Sequence, residues 1–301
     1  MQETNATFRS GGLTLAGTYA TPDGEGPFPA ALLVAGSGPL DRDGNIKRMP
    51  LYVSRDLATT LATAGWATLR YDKRGVGDSA GDYLSTGFSD ELADVEAARD
   101  WLTGHEGVSS VVAIGHSAGA LQAVELAGRE PAVDGAILLA STAKTGEETL
   151  RWQAKQMGDH IVPGFVKVIM RLFRTDVLKQ QDGAIAKLKA TTTDVTRIQL
   201  QKVNAKWMRE FIAYDPVPAL EATTVPMLAI TGSKDVQVDS ADLDVIERTA
   251  PNAQVLRVPD MDHILRPEPA SISNPRHYGK QAKKPIDPRV TDAILAWLPE
   301  R

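Results

Sequence analysis

The chain has 301 residues, 43% hydrophobic and 24% charged, the composition of a globular protein long enough to bury a sizeable core. Its 33 basic side chains face 38 acidic ones, and no Lys/Arg cluster interleaves with aromatics, which argues against a nucleic-acid partner. There is no cysteine, so disulfides, thiolate metal sites and a Cys nucleophile are excluded, and no apolar run reaches the ~18 residues that a membrane span needs.

The opening MQETNATFRS has neither a charged n-region nor an apolar h-region, so the expected location is the cytoplasm. The absence of cysteine fits a mature exported protein equally well. FRSGGLTLAGTY predicts a hairpin, with Gly11-Gly12 between two alternating runs. Residues 30–35 (AALLVA) form a continuous apolar strand, followed by the loop GSGPLDRDGN. A helix over 51–64, a strand over 67–71 and a helix from Ser89 come next, the last with Leu92, Val95 and Leu102 on its buried face. Residues 111–114 read as a strand, 118–127 as a helix and 136–140 as another strand. This alternation of short apolar runs with helical patterns predicts an α/β fold around a mainly parallel sheet.

The rhythm changes between residues 141 and 222. That block is rich in Lys, Gln, Thr and Met, shows no convincing strand, and has amphipathic spacing in FVKVIMRLF and WMREFIAY. It predicts an all-helical cap inserted into a core made of residues 1–140 and 223–301. Strands over 227–231 and 254–258 and helices over 240–249 and 289–298 then complete the core.

Two stretches fit Gly-x-Ser-x-Gly, GVGDSAGDY around Ser79 and IGHSAGA around Ser117, so spacing alone does not choose. A nucleophile elbow requires a buried strand entering a sharp turn and a helix leaving it, with glycines where the two pack closely. Ser117 follows the run 111–114 and precedes a stretch of strong helix formers. Ser79 is separated from its strand by Asp72-Lys73-Arg74-Gly75 and is followed by DYLSTG, which is no helix, so it reads as a loop residue.

A serine hydroxyl needs a base, and the base needs an orienting carboxylate. Behind such an elbow the partners follow in the order acid, then His. Of the five histidines, His105, His116 and His160 come too early. His263, just past the strand 254–258, is favoured over His277 because catalytic groups gather at the carboxyl ends of parallel strands. For the acid, Asp235 lies just past the strand 227–231. Asp215 precedes a proline as a turn former would, and Asp260 and Asp262 are almost adjacent to the histidine they would have to grip. Two N–H donors are then needed for an oxyanion. Ala118, directly after the nucleophile, supplies one, and Ser37, in the Gly-rich loop after the first core strand, supplies the other. That loop lacks the Lys of a P-loop and the third Gly of a dinucleotide fingerprint.

Taken together, GSGPLDRDGN at 36–45, RYDKRGVGDS at 70–79, GHSAG at 115–119, TGSKDVQV at 231–238 and MDH at 261–263 resemble the α/β-hydrolase superfamily over nearly the whole chain. GSGPLDRD at 36–43 with YDKRGVG at 71–77 resembles a bacterial esterase-like subgroup, labelled serine aminopeptidase-like or dienelactone hydrolase-like, that carries a helical lid. The resemblance implies an α/β-hydrolase fold, a Ser117–His263–Asp235 triad, and an oxyanion hole at Ser37 and Ala118. Ala35 departs from the His that many relatives carry there. Arg42 and Asp43 are expected to fix the loop or the cap by hydrogen bonds.

The expected chemistry is hydrolysis of a small-molecule ester, of short acyl chain, with no metal or organic cofactor. A thioesterase or an aminopeptidase would use the same triad, the latter gripping an amine through Glu147, Glu148, Asp159 or Glu210, for which solvated helix faces are the favoured reading. A non-catalytic small-molecule binder and a homodimer also remain open.

Overall fold

The computed structural model describes residues 1–162, 170, 175–198 and 200–298. Its strands are β1 (Gln2–Ser10), β2 (Leu13–Thr21), β3 (Phe28–Val34), β4 (Ala67–Tyr71), β5 (Val108–His116), β6 (Gly135–Leu139), β7 (Val195–Ile198), β8 (Gln201–Asn204), β9 (Met227–Gly232) and β10 (Ala253–Val258). The helices are α1 (Val53–Thr63), α2 (Phe88–Thr103), α3 (Ala118–Ala127), α4 (Gly146–Gln156), α5 (Val177–Ala190), α6 (Ala205–Ala213), α7 (Val217–Ala222), α8 (Asp242–Thr249), α9 (Tyr278–Gln281) and α10 (Pro288–Trp297).

Eight strands make one sheet in the order β1-β2-β4-β3-β5-β6-β9-β10. β1 and β2 form the expected antiparallel hairpin, turning at Gly11 and Gly12 with φ of 52° and 82°. β2 meets β4 antiparallel, and from β4 through β10 every pairing is parallel. The parallel strands read as unbroken apolar runs because helices cover both faces. Along β5, Val111 and Ala113 join the cluster that holds Val95 and Leu102 of α2, Val124 of α3 and Ile246 of α8. Val112 and Ile114 point the other way, to Leu57 and Leu61 of α1 and Val290 and Ile294 of α10. The alternation follows from the two-residue period of a strand.

Between β6 and β9 the chain leaves the sheet. This is where the all-helical expectation for 141–222 is corrected. α4 to α7 are present, but β7 and β8 form an antiparallel hairpin, pairing Val195 with Asn204 and Ile198 with Gln201. Each strand is four residues long and five of the eight residues are polar, too short a stretch for a period of two to stand out in the sequence. Its partly buried Ile198 and Val203 pack on Ile185 and Leu188 of α5. WMREFIAY falls on α6 as expected. FVKVIMRLF lies outside the described residues, apart from Met170.

Candidate active site

Each candidate residue stands at the carboxyl end of a parallel strand. Ser117 sits between β5 and α3 with φ 55° and ψ −122°, a conformation that costs an L-residue on the order of 1–3 kcal/mol. Two glycines make the turn possible. A Cβ on Gly115 would lie 2.2 Å from the Gly119 carbonyl oxygen, and one on Gly119 would lie 2.3 Å from that of Val34. The Ser117 N–H donates to the Leu139 carbonyl at 2.8 Å, tying the turn to β6. Ser37 follows β3 in a loop that runs against the elbow, where a Cβ on Gly36 would lie 3.1 Å from Ser117 Cβ. Ala118 is the first residue of α3.

Asp235 and His263 meet across the ends of β9 and β10. His263 Nδ1 lies 2.7 Å from Asp235 Oδ2, with both side chains buried. A carboxylate can only accept, so Nδ1 carries a proton, and in the neutral imidazole this tautomer leaves the lone pair on Nε2. The other oxygen of Asp235 accepts from the N–H groups of Gln237 and Val238 at 2.7 and 2.9 Å, which fixes the carboxylate plane. The His263 loop is closed by Asp262, whose Oδ1 accepts from the N–H groups of Ile264 and Arg266 at 3.1 and 2.9 Å. Burial raises the Asp262 carboxyl to about 6.

Two cavities adjoin at this point. One, of about 290 Å³, is lined by Ser37, Ser117 and Ala118 and, from the insertion, by Leu150, Trp207 and Phe211. The other, of about 110 Å³, is lined by Ser37, Ser117, His116 and His263 together with Met49 and Ile264. The five predicted residues therefore converge: Ser37 and Ser117 line both cavities, Ala118 the first, His263 the second, and Asp235 holds His263 from behind. The rejected candidates do structural work. Ser79 Oγ donates to the Asp72 carbonyl at 2.6 Å and accepts from Ala16 N–H at 2.9 Å. His277 is exposed, Asp215 accepts from Val217 N–H in a turn, and Asp260 pairs with Lys234 at 2.8 Å. Arg42 grips Asp72 at 2.5 Å and Asp43 pairs with Arg70 at 3.0 Å, consistent with the loop-fixing role expected of them.

The acidic residues of the insertion are engaged elsewhere. Glu147 pairs with Arg151 and Lys189, Glu148 caps α4 through Thr145, Asp159 pairs with Lys155, and Glu210 accepts from Ser89 N–H. None of them lines either cavity.

Sequence reasoning missed two contacts. His116, set aside as too early in the chain, donates from Nε2 to the His263 carbonyl at 2.8 Å. Burial, and the neighbouring His263, lower its pKa to about 4. Glu91 of α2 accepts from the indole N–H of Trp207 at 2.8 Å. Neither pairing leaves a spacing signal, because the partners are 147 and 116 residues apart.

The sequence pattern of the family described as "Serine aminopeptidase, S33" matches residues 51–269. The chain is 30% identical to the esterase EstD of Thermotoga maritima over 287 residues, which is 94% of this chain and 65% of that protein. It thus spans about two thirds of the length of that curated relative. Among solved structures, Est1E from Butyrivibrio proteoclasticus with bound ferulic acid superposes with a TM-score of 0.68 at 17% identity, covering 98% of each chain. The Pyrococcus furiosus esterase Pf2001 superposes with a TM-score of 0.60 at 16% identity, over 87% of this chain and 84% of that one. At these identities the two structures speak for the fold.

Proposed function

Because the chain belongs to the serine aminopeptidase family of α/β-hydrolases, we propose that it hydrolyses carboxylic esters of short acyl groups, with Ser117 as nucleophile, His263 as base and Asp235 orienting that base. The observation that carries this reading is the 2.7 Å contact between His263 Nδ1 and Asp235 Oδ2, with His263 and Ser117 facing one cavity. The 30% identity to the esterase EstD supports the same reaction class.

In this mechanism His263 Nε2 takes the Ser117 proton as Oγ bonds to the ester carbonyl carbon, and the carbonyl π pair moves onto oxygen. The N–H groups of Ser37 and Ala118 receive that oxyanion, the latter reinforced by the positive end of the α3 dipole. Collapse of the adduct breaks the bond to the alcohol, which leaves with the proton from His263. Water then repeats the sequence on the acyl-enzyme, releasing the acid and restoring Ser117. Asp235 stays ionised throughout and offsets the transient imidazolium charge.

The two cavities divide the substrate. His263 lines the smaller one, so the leaving alcohol, which must reach its proton, belongs there, and the acyl group belongs under the 141–222 cap in the larger. A cavity of about 290 Å³ is roughly twice the ~150 Å³ that holds benzene, which favours a short acyl group. Among the described residues no Asp, Glu, Lys or Arg lines either cavity. An aminopeptidase would need a carboxylate there for the substrate's ammonium, so the uncharged lining favours an ester.

The test is labelling with a fluorophosphonate, alongside turnover of p-nitrophenyl butyrate. Ser117→Ala is expected to lose both signals and Ser79→Ala to keep both. A label kept in Ser117→Ala and lost in Ser79→Ala overturns the assignment of the nucleophile, and no turnover in the wild type overturns the enzyme in favour of a binding protein.

A further inference from the structure

The wall of the larger cavity includes one side chain that is wired to the sheet domain through a buried charge. Trp207 of α6 stacks on Phe211, with ring centroids 4.9 Å apart, and meets Phe88 of α2 edge-on. It packs in one cluster with Ala118 and Leu121 of α3. Its indole N–H donates to Oε2 of Glu91, which does not line the cavity. Glu91 in turn accepts from Lys73 Nζ at 2.8 Å and from Gln122 Nε2 at 3.2 Å. All four residues are less than a tenth exposed, and they come from four places: the loop after β4, α2, α3 and the insertion.

Packing alone does not call for this arrangement. Withdrawing a Lys–Glu pair from water is expensive, and well-packed apolar residues often serve stability as well. What the pair supplies is an ionised acceptor at a fixed position, and a charge-assisted hydrogen bond to it holds the indole in one orientation. Phe88 and Phe211 brace the ring and Glu91 holds its N–H, so the side chain that lines the cavity is held from both its aromatic and its polar side.

We infer that Trp207 sets the upper size of the acyl group and that Glu91 is the positioning residue that keeps it in place. The inference rests on the proposed ester hydrolysis, whose acyl side is the larger cavity. Trp207 is a specificity-determining residue here, with no part in proton transfer.

The experiment compares kcat/KM for p-nitrophenyl butyrate and p-nitrophenyl decanoate in folded variants, each checked for a cooperative thermal transition. Trp207→Ala is expected to raise the decanoate-to-butyrate ratio at least tenfold, mainly through a lower KM for decanoate. Two paired variants isolate the positioning role without leaving Lys73 buried and unpaired. Lys73→Met with Glu91→Gln keeps an acceptor for the indole and is expected to hold the wild-type ratio within twofold. Lys73→Met with Glu91→Leu removes the acceptor and is expected to raise the ratio at least threefold. An unchanged ratio in Trp207→Ala, in an enzyme whose turnover is abolished by Ser117→Ala, overturns the inference while leaving the ester reading standing. Equal ratios in the two paired variants overturn the role of Glu91. Turnover that survives Ser117→Ala overturns Ser117 as the nucleophile, a wild type inactive on both esters overturns the ester reading, and either result overturns the inference with it.

Discussion

The imidazole of His116 donates from Nε2 to the main-chain carbonyl of His263 at 2.8 Å, and the two rings lie 5.0 Å apart between centroids. The residue before Ser117 thus grips the backbone of the proposed base, while Asp235 grips its ring. Elbow and base loop come from distant parts of the chain, and this contact fixes their spacing directly. His116 can do so without adding charge, because burial and the neighbouring His263 lower its pKa to about 4.

That lowered value predicts a pH dependence of stability. Between pH 6.5 and about 4 the unfolded chain protonates this imidazole and the folded one does not, so His116 removes stability as pH falls through that window. Asp262, raised to about 6 by burial, acts in the opposite sense: the folded state holds its proton between about 6 and 3.8, so Asp262 removes stability as pH rises through that range. Relative to wild type, His116→Asn is expected to lose less stability on acidification from pH 7 to 4.5, and Asp262→Asn to lose more. Melting temperatures across that range check both signs. Parallel curves for all three proteins contradict the prediction.

Replacing Asp235 with Asn keeps the shape of the site while presenting an amide where His263 needs an acceptor. The Asn oxygen can serve the N–H groups of Gln237 and Val238, leaving its NH2 to face the ring and reverse the tautomer. The expected loss in kcat is about three to four orders of magnitude, with little change in melting temperature. Steady-state kinetics at pH 7 measure it; a loss under tenfold would remove Asp235 from the proposed triad.

The elbow predicts a contrast between glycines. Ala at 115 would put a Cβ 2.2 Å from the Gly119 carbonyl oxygen, where backbone on both sides blocks relaxation. The expected destabilisation is at least about 1–3 kcal/mol. At Gly183, inside α5, nothing beyond its chain neighbours and the helix's own backbone lies within 4 Å of the added methyl, and Gly183→Ala is expected to stabilise by about 0.5–1 kcal/mol. Urea unfolding of the two variants should move their midpoints in opposite directions.

Ser79→Ala tests the serine that shares the motif without the elbow. Its hydroxyl bridges the Asp72 carbonyl and the Ala16 N–H, joining β2 to the loop after β4. Removing it takes that partner from the buried Asp72 carbonyl and the half-buried Ala16 N–H, at an expected cost of about 1–3 kcal/mol. Thermal melts should register the loss while fluorophosphonate labelling persists.

The sequence by itself determined the sheet, its hairpin and the elbow. Each of these is a local pattern: unbroken apolar runs where helices cover both faces of a strand, Gly11-Gly12 at a turn of positive φ, and Gly115 and Gly119 where strand and helix touch. It also marked Ser37, Asp235 and His263, because groups that follow parallel strands are delivered to one edge of the sheet. The β7–β8 hairpin escaped it, since four polar-rich residues per strand carry too weak a period and the pairing is stabilised by α5. Only the tertiary structure decided which side chains complete the site. The His116 ring finds the carbonyl of a residue 147 positions away, and the Trp207 indole finds a carboxylate 116 positions away. Such contacts depend on where folded elements come to rest against each other, and hydrogen bonds between distant residues impose no periodicity on the chain that forms them.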